Sequence, residues 1–154
     1  MELTKKYVDI NDTMRHIKTQ IVDSLPYAKK QCPPMSSPEE CFWWMKRHTT
    51  YKHDPKGIEL LQSLPTLMEN NYHGISGAGD CDCFTIGLCS LFVANGIKNV
   101  KVVLVGRNRS VPVHIYCVVY EKGNRKVFDL TNKKPYQERP YPYIQELPRR
   151  WENW

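Results

Sequence analysis

HGISGAGDCDCFTIGLCSLF, residues His73–Phe92, changes character halfway along. Glycines and small polar residues lead into Asp80-Cys81-Asp82-Cys83, and an uncharged apolar run follows. Each of the two cysteines follows an aspartate. Phe84, Leu88, Leu91 and Phe92 then recur at helical spacing, and Asn95-Gly96 supplies a stop. The pattern predicts a helix from about Cys81 to Ala94, apolar enough to lie at the centre of the molecule.

Cys81 falls in the first turn of that helix, where unpaired backbone N–H groups and the helix dipole favour an anion. A thiolate there is expected to have a lowered pKa and to be a stronger nucleophile. Gly74, Gly77 and Gly79 are expected to leave room for the backbone of a substrate.

Upstream of this stretch the chain reads as helical. NDTMRHIKTQIVDSL carries Met14, Ile17, Ile21 and Leu25 at helical spacing, and Pro33-Pro34 breaks the pattern. SSPEECFWWMKRH predicts a second helix, capped by Ser37, with Pro38 and two glutamates in its first turn and Phe42, Trp43 and Trp44 in the core. DPKGIELLQSLPTLMEN reads as a turn and a short apolar segment broken by Pro65. Downstream the period changes. KNVKVVLVGR, VPVHIYCVVYEKG and NRKVFDLTN predict three strands, the last two joined by a hairpin turn at EKGN. Residues 135–154, rich in Pro, Tyr and Trp, read as an extended tail lying on the domain or on a partner. Helices followed by an antiparallel sheet define an α+β fold, with the cysteine-bearing helix packed on the sheet.

The 154 residues suit one domain with a real core. No apolar run is long enough to span a membrane. MELTKKYVDINDTMRHIKTQ has no apolar signal core, so the expected location is the cytoplasm. Six cysteines, at 32, 41, 81, 83, 89 and 117, then read as free thiols rather than disulfides. A net charge of +6 is spread over scattered pairs, so it points to a solvated basic surface and not to specific nucleic-acid binding.

A nucleophilic cysteine needs a base, and the base needs an orienting partner. His114 lies in the second predicted strand and Asp129 in the third, on either side of the hairpin turn. Residues at similar distances from such a turn can share a sheet face. If the central helix packs on that face, its start brings Cys81 to His114.

GDCDCFTIGLCSLFVANGIKNVKVVLVG, then HIYCVVY, then VFDLT, resembles the transglutaminase-like cysteine-enzyme superfamily over about residues 54–132. The upstream DPKGIELLQSLPTLME is similar to the lead-in of compact bacterial and tailed-phage versions. The resemblance implies a papain-like core and a triad of Cys81 as nucleophile, His114 as base and Asp129 as orienter. It also implies acyl transfer through a thioester and no metal or organic cofactor. Protein or peptide is the expected substrate, with peptide hydrolysis favoured because the chain is too short to carry the β-sandwich domains of animal transglutaminases. The oxyanion would be held by the Cys81 backbone N–H and one further donor. Two positions depart from the family pattern: Cys83 stands where a second acid is common, and Leu130 where proline is common. Cys83 is therefore a competing nucleophile.

Two other readings stay open at this point. Asp80, Cys81, Asp82 and Cys83 with His73 or His114, or Cys32 and Cys41 with His48 and His53, could bind zinc, although neither spacing is the usual one. The domain could also act mainly as a binding module in a phage virion or its assembly, meeting phage structural proteins through residues 135–154.

Overall fold

A computed structural model describes residues 10–53, 61–69, 76–108 and 111–147. The elements run α1 (Ile10–Lys30), α2 (Pro38–His48), β1 (Thr50–Tyr51), α3 (Leu64–Glu69), β2 (Ala78–Gly79), α4 (Cys81–Ala94), β3 (Val100–Asn108), β4 (Val111–Glu121), β5 (Asn124–Phe128) and β6 (Tyr143–Leu147). The fold is mixed α and β, with helices set against an antiparallel sheet of order β5-β4-β3-β6.

α4 has the bounds expected from sequence, and every residue from Cys83 to Phe92 is buried. α1, α2 and α3 surround it on one side, and the sheet residues Val102, Leu104, Ile115, Cys117, Val119 and Phe128 cover the other. At ~25 cal/mol per Å² of apolar surface removed from water, this helix is the largest contributor to the core.

α1 extends past the expected end at Leu25 and passes through Pro26. An interior proline deprives the carbonyl four residues back of its partner, at a cost of about 3 kcal/mol. That carbonyl belongs to Val22, which is solvent-exposed, so water can satisfy it. The extra turn buries Ala28. The Ser24 hydroxyl donates to the Gln20 carbonyl and accepts the Leu64 N–H at 2.8 Å, tying α1 to α3. Pro65 lies in the first turn of α3 and so opens that helix rather than breaking it. α2 is capped as expected, with Ser37 Oγ accepting the Glu40 N–H. Of its three adjacent aromatics, Phe42 is fully buried but Trp43 is 40% exposed, because consecutive helical positions point about 100° apart.

The β4–β5 hairpin turns through Lys122 and Gly123, both at positive φ, the geometry that matches strand twist. The tail holds a strand that the sequence reading does not contain. β6 pairs antiparallel with β3, Val102 opposite Leu147 and Gly106 opposite Tyr143. Residues 135–147 thus lie on this chain's own sheet, and 148–154 lie outside the described residues. Arg125 on β5 secures the arrangement by bonding Glu138 at 2.7 Å and Glu146 at 2.6 Å.

β1 and β2 form a two-residue parallel pair that delivers the chain to Asp80. At Gly77 φ is +80°, and a Cβ would lie 2.1 Å from the His48 carbonyl oxygen. At Gly79 a Cβ would lie 2.9 Å from Cys83 Cβ. These two glycines admit the protein's own chain, not a substrate, which corrects the sequence expectation; Gly74 lies outside the described residues. Gly77→Ala combines left-handed backbone strain with a clash against main chain. It is expected to lose more than about 2 kcal/mol in urea denaturation.

Candidate functional site

The start of α4 is fixed by a reciprocal cap. Asp80 Oδ1 accepts the Asp82 N–H at 3.2 Å. The sulfur of Cys83, at the third helical position, takes a hydrogen bond from the Asp80 backbone. Cys83 thus fills the role that Glu or Gln plays in a capping box. The Gln62 side-chain N–H also reaches that sulfur, at 3.5 Å. Cys83 is fully buried, and burial holds its thiol well above the ordinary range. The competing nucleophile is a packing and capping residue.

Cys81, two positions earlier, is only partly buried. Its sulfur lies in a narrow recess walled by Phe84, Thr85, Ile115, Asp129 and Thr131. β5 ends at Phe128, which leaves the outer edge of β4 open beyond that point. Cys81 occupies this edge, and the Ile115 backbone N–H acts on its sulfur. The Thr85 hydroxyl bonds the Cys81 carbonyl at 2.8 Å and approaches the Ile115 carbonyl at 3.4 Å, seating the helix start on the strand.

His114 and Asp129 are in direct contact, Nε2 to Oδ2 at 2.6 Å, and both side chains are largely buried. They are diagonal across the hairpin and not opposite, since the register sets Cys117 against Phe128. Strand alternation puts His114 with Tyr116 and Val118, on the face away from α4. The expectation that α4 packs on the face bearing His114 is therefore corrected: the helix start reaches the site at the sheet's end, beside Ile115. The Cys81 sulfur and the His114 ring make no hydrogen bond to each other.

Asp129 is held by more than the histidine. Its Oδ1 accepts the Thr131 N–H at 3.0 Å and the Thr131 hydroxyl at 2.7 Å. Burial pushes the carboxyl pKa up, but the bonds from His114 and Thr131 together outweigh it and the carboxyl lies below its ordinary value. An ionised carboxylate only accepts, so it fixes the hydrogen on His114 Nε2 and leaves Nδ1 as the basic nitrogen. Thr131 is a site residue that the sequence reading left unassigned; its signal was the Asp-x-Thr spacing, which suits a side-chain-to-backbone turn.

At Cys81 the structure reverses an expectation. Burial, then Asp82 and Asp80, drive the thiol pKa up, and the Ile115 N–H only partly opposes them. The helix start supplies positive potential, and the charges of Asp82 and Asp80 oppose it. The resting group is a thiol.

His73 lies outside the described residues, and among the described ones no cluster of three or more His, Cys, Asp or Glu could hold a metal. Nor is any described helix long and apolar enough to cross a membrane.

No protein-family model matches the chain, and no curated protein matches it. Two solved structures are similar at a distance. One is the crystal structure of a TGase, with TM-score 0.41 and 13% identity, covering 82% of this chain and 34% of that one. Another is Rad4-Rad23 bound to a 6-4 photoproduct UV lesion, with TM-score 0.40 and 14% identity, covering 81% of this chain and 35% of that one. The chain spans about a third of each. Neither likeness assigns a family or an activity.

Asp129→Asn keeps the shape and removes the charge. A group whose folded pKa is depressed stabilises the fold above its ordinary pKa and loses that contribution as pH falls through the folded value. The variant is therefore expected to be about 1–3 kcal/mol less stable near neutral pH. In urea titrations the gap should narrow as pH drops below about 4.

Proposed function

We propose that the chain is a transglutaminase-like cysteine hydrolase or acyltransferase acting on peptide or side-chain amide bonds, with peptide hydrolysis the favoured reaction. Cys81 is the nucleophile, His114 the base and Asp129 the orienter. The observation that supports this most is the 2.6 Å bond from His114 Nε2 to Asp129, a residue that also lines the recess holding Cys81; the bond leaves Nδ1 as the basic nitrogen.

Because the resting cysteine is a thiol, proton removal accompanies attack. His114 Nδ1 takes the proton as the Cys81 sulfur bonds the amide carbon, and the imidazolium is stabilised by Asp129. The carbon–nitrogen bond breaks, the proton passes to the leaving amine, and a thioester remains. Water, deprotonated by His114, then attacks the thioester; the acid departs and the thiol is restored. An amine in place of water would make the reaction a transamidation. In this reading the Cys81 backbone N–H and one further donor hold the carbonyl oxygen as charge builds on it.

Iodoacetamide labelling across pH with mass mapping tests the assignment. Cys81 is expected to react ahead of the five buried cysteines, with a rate still climbing above the ordinary thiol range near 8.5. His114→Ala should slow labelling near neutral pH and cut amide hydrolysis by about 10²–10⁴. An unchanged labelling rate in His114→Ala would remove the base from the proposal.

A further inference from the structure

A cleft of about 440 Å³ opens beside His114, and Lys46 and Arg139 both line it. Tyr51, Phe84 and Tyr141 supply aromatic wall, and no carboxylate is among its described lining residues. The cleft shares Phe84, Leu130 and Thr131 with the recess that holds Cys81, so a bound chain reaching the sulfur passes along it.

The cations here differ from those elsewhere on the sheet. Arg125 is neutralised by Glu138 and Glu146, and Lys126 by Glu39 and Glu121. Lys46 instead donates to the Leu130 carbonyl at 3.0 Å, which uses one of its three N–H groups. Among the described residues Arg139 has no ion pair or hydrogen bond. The Asp129 carboxylate, bonded to the cleft residues His114 and Thr131, is engaged by them on both oxygens. Two positive groups thus face one concave surface, and among the described residues no carboxylate lines it to balance them. A guest anion lowers the energy of such a surface, and the guanidinium fork matches a carboxylate in two bonds.

We propose that this cleft selects substrates by a carboxylate, so that the amide attacked by Cys81 lies beside an acidic group bound by Arg139 and Lys46. The chemistry fits an Asp or Glu side chain and equally a free chain terminus. This selectivity rests on Cys81 being the nucleophile.

Three alkylating probes separate the possibilities: iodoacetyl-Glu amide, iodoacetyl-Gln with a free carboxyl terminus, and neutral iodoacetyl-Gln amide. In each case the Cys81 sulfur displaces iodide and the proton passes to the base. At least one acidic probe is expected to label Cys81 about three- to tenfold faster than the neutral one. Whichever acidic probe leads identifies the source of the carboxylate. The acidic-to-neutral ratio should fall towards one in Arg139→Gln and in Lys46→Met, recover in part in Arg139→Lys, and shrink as salt rises. Labelling that depends on His114 but shows no acidic preference, or a preference that survives both substitutions, overturns the cleft proposal and leaves the nucleophile in place. Alkylation that falls on another cysteine ahead of Cys81 removes the nucleophile itself, whatever the ratio.

Discussion

α4 is wrapped by other helices on one side and by the sheet on the other, and the rest of the molecule is arranged around that burial. A helix enclosed this way cannot slide or rotate without opening voids, and core voids cost roughly 24 cal/mol per Å³. Its first turn therefore emerges at one place, the open edge of β4 left where β5 stops at Phe128. The partly buried sulfur of Cys81, the Ile115 backbone and the Asp129 carboxylate meet there because the core leaves the helix start nowhere else to go. The parallel pair β1–β2 and the strained turn at Gly77 fix the entry from the other direction.

The parts of this arrangement legible in the sequence are those encoded locally. The bounds of α4, the Ser37 cap and the positive-φ turn at Lys122-Gly123 each depend on a few adjacent residues. The neighbouring of His114 and Asp129 followed from hairpin geometry, although their diagonal offset and their sheet face did not. What escaped the sequence depends on contacts between distant segments. β6 carries too little alternation to be read as a strand until β3 is present to pair with it. The continuation of α1 through Pro26 follows from packing, not propensity. Lys46 and Arg139 come to one cleft from α2 and from the segment before β6, and nothing in their own surroundings in the chain announces it.

The cap of α4 shows how one structural solution shapes the chemistry. Asp80 and Asp82 stabilise the helix start, and the same charges disfavour a thiolate on the residue between them. Cys83 completes the cap through its sulfur, and burial holds its thiol well above the ordinary range. An acid in its place would add a third carboxylate and push the neighbouring thiol higher still. A cysteine at position 83 therefore moderates the electrostatic cost of the cap.

The last strand in the chain covers an edge made much earlier. β3 presents Val102, Val103, Leu104 and Val105 in a row, and one side of that row is satisfied only when residues 143–147 dock. Until then its backbone donors and acceptors form an open template for any passing extended chain. During synthesis that exposure lasts for the whole interval between the emergence of β3 and of β6. Proteolytic nicking between Pro135 and Pro142 would recreate it in a mature molecule. The Arg125 clamp on Glu138 and Glu146 thus guards against self-association as well as holding the sheet together.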